Sequence, residues 1–162
     1  HILISALEFV TQREIPGNQG WEDQRFETLM KQTGWKVGEA WCAYFVELVL
    51  MTAGFTEHAG VMSPSAVQSW RNCKQSELFK TSDTPKTGSL VIWQMQRNGK
   101  PLWMGHAGIV VAVERNIIVT VEGNTTSQGI REGEVVALKI RDINMKPMNG
   151  LNLLGFVQVI AE

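Results

Sequence analysis

The hydrophobic period of this chain changes once, near its middle, and that change limits the possible folds more than any other feature. Up to about residue 70 the apolar residues recur at helical spacing, which predicts helices over residues 5–13, 22–32, 39–53 and 64–70. The pattern is strongest over 39–53. There Cys42, Phe45, Val46, Val49, Leu50 and Ala53 fall on one side, and Gly54 stands where a left-handed C-terminal cap belongs. Ser63 is the expected cap of the fourth helix, with Pro64 in its first turn. From Ser89 onward the period is two. Alternating, Val- and Ile-rich stretches predict strands over 89–94, 106–113, 117–122, 134–140 and 154–160. Several joining turns are short, so the sheet is expected to be antiparallel. Helices first and antiparallel strands second give an α+β fold. The chain has no repeat, linker or low-complexity tract, so its 162 residues read as a single domain over 1–162.

Charge excludes two classes of partner. Lys plus Arg (15) nearly balances Asp plus Glu (16), for a net charge of −1. That leaves no basic footprint for nucleic acid and no polybasic membrane anchor. No stretch approaches the 18 or so apolar residues a membrane span requires. The first residues, His1-Ile2-Leu3-Ile4-Ser5, lack the charged leader and long apolar run of a secretion signal. The two cysteines, Cys42 and Cys73, are too few for a disulfide scaffold. With His58 and His106 they show no metal-ligand spacing either, so neither a metal nor a cofactor is expected. Cys73 reads as a packed thiol, and His58, in a Glu-His-Ala-Gly segment, as solvent-facing.

Three segments carry candidate chemistry. Cys42 stands at the start of the best helix, where unsatisfied N–H groups and the positive end of the dipole favour a thiolate. His106 begins a Val/Ile strand between small neighbours in Gly105-His106-Ala107-Gly108. Glu122-Gly123-Asn124 follows on the next strand and could fix the tautomer of a catalytic histidine. The register decides whether it does. A three-residue loop at Glu114-Arg115-Asn116 sets His106 opposite Asn124, with Glu122 on the same face. A two-residue loop puts Glu122 on the other face, unless a bulge intervenes. Read singly, Cys42 is equally a small buried apolar residue, His106 a structural histidine at a strand end, and Glu122-Gly123-Asn124 a turn. Their order is more telling: a Cys at a helix start, a His on a strand and an acid or amide on the next are laid out as in papain-like hydrolases.

Trp41-Cys42-Ala43-Tyr44-Phe45-Val46, Pro85-Lys86-Thr87-Gly88-Ser89-Leu90-Val91, Gly105-His106-Ala107-Gly108-Ile109-Val110 and Glu122-Gly123-Asn124-Thr125 together resemble the CHAP family. These are cysteine, histidine-dependent amidohydrolases/peptidases, a branch of the NlpC-type papain-like superfamily. Glu14-Ile15-Pro16-Gly17-Asn18 is similar to a loop of bacterial members, so the resemblance runs from about Glu14 to Val157. It implies a papain-like architecture, with the nucleophile at a helix N-terminus packed on a C-terminal antiparallel sheet. It also implies cleavage of peptidoglycan amides, by an N-acetylmuramoyl-L-alanine amidase or by an endopeptidase of stem or bridge peptides. The family's nucleophile falls on Cys42, its histidine on His106, its acid on Glu122 and a following polar residue on Asn124. The chain departs from the family in a longer insert at 94–102 and in lacking a calcium-binding run of Asp. Trp41, Trp93 and Trp103 are groove candidates. Trp103 is the strongest of them, and Trp41 is expected to pack. Glu39, near the nucleophile, is either a first-turn residue or a substrate contact, the first-turn reading being preferred. The implied partner is peptidoglycan, with an immunity or inhibitor protein added if the enzyme is an antibacterial effector. The implied site of action is secreted or periplasmic, at the cell wall. Two other readings stay open: a non-catalytic wall- or partner-binding module of the same fold, and a peptidase of ordinary proteins.

Overall fold

The computed structural model describes residues 1–125 and 133–161. Five helices come first: α1 (Ile2–Glu8), α2 (Gln24–Gln32), α3 (Cys42–Thr52), α4 (Thr56–Ala59) and α5 (Ala66–Gln75). Six strands follow: β1 (Phe79–Ser82), β2 (Leu90–Arg97), β3 (Lys100–Glu114), β4 (Ile117–Thr125), β5 (Val135–Asp142) and β6 (Gly150–Val159). They form one sheet in the order β1-β6-β2-β3-β4-β5, and every neighbouring pair is antiparallel. The architecture is α+β, as the change of period predicts.

Caps explain where the helices begin. Asp23 starts α2, its carboxylate accepting from the N–H groups of Arg25 and Phe26. Ser65, not Ser63, caps α5, its hydroxyl accepting from the Gln68 N–H. Ser63 instead ties the preceding turn to Ser69 through its own backbone N–H and carbonyl. The first helix is shorter than its spacing predicts. After Glu8 the chain turns through Thr11, at φ 84°, and Thr11 N–H donates to Val136 O, so residues 11–13 join the sheet edge instead. The third helix begins at Cys42 rather than at 39. The indole N–H of Trp35 takes the carbonyl of Glu39 at 2.8 Å and holds residues 36–40 as a turn.

Helix α3 is apolar almost all round, and eight of its residues, Cys42 through Val46 and Leu48 through Leu50, are buried. It is the central rod of the molecule, with α1, α2, α4 and α5 around it and β3 and β4 beneath. The inward residues Leu90, Ile92, Ala107, Ile109 and Val121 join its core, while the alternate residues Val91, Trp93 and Val110 form a smaller second cluster. The 94–102 insert is not a loop. It extends β2 and β3 into a hairpin closed by Asn98-Gly99, both at positive φ, the two-residue turn whose twist suits such hairpins.

Candidate active site

Trp41, immediately before α3, is fully buried and fixes the helix start. Its indole N–H donates to Glu14 Oε2 at 2.9 Å, and its ring meets the edge of Trp21 at 5.1 Å. It packs, as expected, and lines no groove. Cys42 is then the first helical residue, only 3% exposed. Strand β4 presses closely on this point. A Cβ on Gly123 would lie 2.7 Å from Trp41 and 2.8 Å from Phe45, so only glycine allows the approach. The glycine of Glu122-Gly123-Asn124 thus brings the strand to the helix rather than making a turn.

The loop between β3 and β4 has two residues, Arg115 and Asn116, which by itself would put Glu122 on the wrong face. A bulge at Val111 restores the register. Val113 pairs with Ile118, but Ile109 pairs with Val121, and this one-residue shift brings Glu122 to the face that carries His106. His106 and Glu122 are both wholly buried, and Nε2 lies 2.8 Å from Glu122 Oε2. A carboxylate only accepts, so Nε2 carries the proton and donates it. That leaves Nδ1 as the ring nitrogen not engaged by Glu122. Nδ1 has no partner at full hydrogen-bonding geometry among the described residues, yet the Cys42 thiol lies close enough to act on the ring. Such contacts are often long before substrate binds.

Glu122 is the electrostatic anchor. Its Oε1 accepts from Thr120 Oγ1 at 2.7 Å and from Arg141 Nε at 2.8 Å, while Arg141 Nη2 and His106 Nε2 bond Oε2. Burial alone would push its pKa up. The charges and hydrogen bonds of His106 and Arg141 outweigh that and hold it well below the ordinary carboxylate value. Burial likewise works against a charged His106, but the Glu122 carboxylate and the Cys42 thiol prevail and raise its pKa to about 9. At neutral pH the imidazolium form is therefore favoured. Trp93 stacks on the His106 ring, with centroids 5.8 Å apart, and the Arg141 guanidinium lies over Trp93 at 5.2 Å. Trp93 is buried there and is not a groove residue.

A cleft of about 330 Å³ opens on Cys42, with Glu39, Tyr44, Trp103 and Met104 in its walls. Trp103 is 75% exposed and stands on the rim. Glu39 precedes the helix and so cannot be a first-turn residue; its Oε2 accepts from Tyr44 OH at 2.8 Å. Asn124 is buried at φ 53°, its Oδ1 3.5 Å from the Gly133 N–H and its Nδ2 without a partner among the described residues. His58 is not solvent-facing. It is buried between Phe55 and Phe79, with Nε2 3.0 Å from Ile160 O. Cys73 is buried on α5, and burial pushes its thiol up to about 12. Among the described residues no group of three or more His, Cys, Asp or Glu is placed to hold a metal, and no helix is long and apolar enough to cross a membrane.

The sequence reading missed Arg141. The signal was the alternation of cations in Lys139-Ile140-Arg141, but it acquires meaning only once the register Thr120↔Lys139, Ile118↔Arg141 is known. The model of the CHAP domain family matches residues 32–124, more than half of the chain. The crystal structure of a wild type endolysin, LysIME-EF1, shares the fold with a TM-score of 0.51 at 14% identity. The match covers 98% of this chain and 62% of that one, so the chain spans about three-fifths of the endolysin's length. No curated protein matches the chain in sequence.

Proposed function

This chain belongs to the CHAP domain family, and from that premise we propose that it hydrolyses amide bonds in the peptide part of peptidoglycan, with Cys42 as nucleophile and His106 as its base. The observation that carries the reading is the buried line from Arg141 through Glu122 to His106, whose remaining ring nitrogen is left to the Cys42 thiol at a helix start. The description of the structural neighbour as an endolysin supports a cell-wall substrate. Action on the wall places the working protein outside the cytoplasmic membrane.

In this mechanism His106 Nδ1 holds the proton taken from Cys42. The thiolate Sγ attacks the amide carbonyl carbon and forms the C–S bond. The Cys42 backbone N–H, at the start of α3, stabilises the developing oxyanion. Nδ1–H then protonates the amine nitrogen, the C–N bond breaks, and a thioester remains. Water, deprotonated by Nδ1, attacks the thioester and releases the acid and the thiolate. Glu122 holds Nε2–H throughout and stabilises the imidazolium. Asn124, two residues beyond Glu122 on β4 and with Nδ2 unpartnered among the described residues, completes the set as polar support.

Mass spectrometry of purified sacculi, incubated with the wild type and with Cys42→Ala, tests this. New muropeptides from the wild type alone are expected. Equal hydrolysis by Cys42→Ala would remove the cysteine mechanism, and no products from either on several wall types would leave a binding module of the same fold.

A further inference from the structure

The cleft over Cys42 carries one charged side chain among its described walls, Glu39, and that carboxylate is held in place. Its backbone is pinned by the Trp35 indole at 2.8 Å. Its Oε2 accepts from the Lys36 N–H at 3.1 Å and from Tyr44 OH at 2.8 Å. Tyr44 is itself buried in α3, and burial, with Glu39 close behind, raises its phenol pKa far above the ordinary value. Tyr44 is thus a neutral donor at every working pH. Both donors to Glu39 are neutral, and Glu39 forms no ion pair among the described residues. Its Oε1 makes no hydrogen bond there either. Glu39 is solvent-exposed, but the two donors on Oε2 restrict its rotamers, which lowers the ordering cost of meeting a ligand.

An uncompensated, oriented carboxylate in a substrate cleft complements a cation. Trp103 on the same cleft's rim offers an indole face, the best aromatic partner for an ammonium group. Peptidoglycan has one common side-chain amine, that of the diamino acid in the stem peptide. It is acylated in the acceptor stem of a cross-link and free in other stems, whereas the bond between sugar and stem has no amine beside it.

We infer that Glu39, fixed by Tyr44, receives the free side-chain ammonium of the diamino acid, so that the cleft takes a stem peptide whose side-chain amine is not acylated and the bond cut lies within the peptide. This rests on the hydrolase reading above and adds to it the class of substrate and the side of the stem that is cut.

Two synthetic stem peptides test it. They have the same sequence, one with the side-chain amine free and one with it acetylated. The wild type should cleave the free-amine peptide with a KM roughly two- to fivefold lower, as one exposed ion pair supplies, and with kcat nearly unchanged. Glu39→Gln keeps the shape and both donors' partner, and should cut the two peptides with one and the same KM. Tyr44→Phe, which loosens the carboxylate without emptying the core, should lose part of the preference. Equal KM values for the two peptides with the wild type, or a preference retained by Glu39→Gln, would overturn the assignment. If the wild type leaves both peptides whole but frees entire stems from sacculi, the amine site fails while the hydrolase stands. If no wall substrate is cut, both fail.

Discussion

Replacing Arg141 by Met removes two of the four hydrogen bonds that Glu122 accepts among the described residues and leaves a wholly buried carboxylate bonded to Thr120 and His106. Stripping one partner from a buried ion pair costs about 3–5 kcal/mol. The Arg141 side chain is 18% exposed, so water reaches part of the vacated space and the low end, about 3 kcal/mol, applies. For a chain of this size each kcal/mol moves Tm by about 2–4 °C, so Arg141→Met should melt about 6–12 °C below the wild type at pH 7. The gap must also depend on pH. The pKa of Glu122 is depressed in the folded wild type, from its ordinary 4.5 to about 2, so its contribution is present above 4.5 and is lost as pH falls toward 2. Melting curves of the two proteins should therefore converge over that interval. Activity on sacculi should fall with the Tm at pH 7, because a carboxylate that can rotate no longer fixes His106. Arg141→Lys keeps the charge but not the fork, and should recover more stability than activity. An Arg141→Met protein that melts within about 2 °C of the wild type at pH 7, or a gap that widens in acid, would refute the anchoring role given to this arginine.

Three further outcomes are expected. A Cβ on Gly108 would lie 2.8 Å from Glu122 Cγ and 3.0 Å from Val121 O, so Gly108→Ala should displace the carboxylate, cost about 1–3 kcal/mol in a denaturant melt and lower turnover by more than tenfold; wild-type turnover would contradict the packing described. The pKa of His106 is raised from 6.5 to about 9 in the fold, so the stability it adds is fully present below pH 6.5 and lost as pH rises through 9. The Tm advantage of the wild type over His106→Gln should shrink across that window, and an advantage that grows instead would reverse the sign given to the Glu122 interaction. Cys73 is buried with its thiol pushed up to about 12, so mass spectrometry after brief alkylation of the native protein at pH 8 should find adducts on Cys42 and none on Cys73 until denaturant is added.

Much of this molecule is determined within short stretches of chain, and those parts were legible in the sequence. The change of period from helical to alternating gave the α+β order, because side-chain direction along one element depends only on that element's own geometry. The placement of Cys42 at a helix start is local too, and the structure sharpens it by starting α3 at Cys42 itself. The sequence reading left 94–102 as an insert, although Asn98-Gly99 is a dipeptide that favours the twist of a two-residue hairpin. The short strand β1 and the single-turn helix α4 carry too few residues for any period to show.

What joins His106 to Glu122 is not local. The two-residue loop at Arg115-Asn116 argues against their meeting, and only the extra residue at Val111 brings them to one face. Nothing in the residue types around Val111 announces a bulge. The choice of Arg141 as the partner of Glu122, and the burial of His58 between Phe55 and Phe79, follow from register and layering summed over the whole sheet. The sequence by itself determined which chemical groups the site contains and on which kinds of element they stand. The tertiary structure decided which of them touch, because contact between strands depends on every loop and bulge that separates them along the chain.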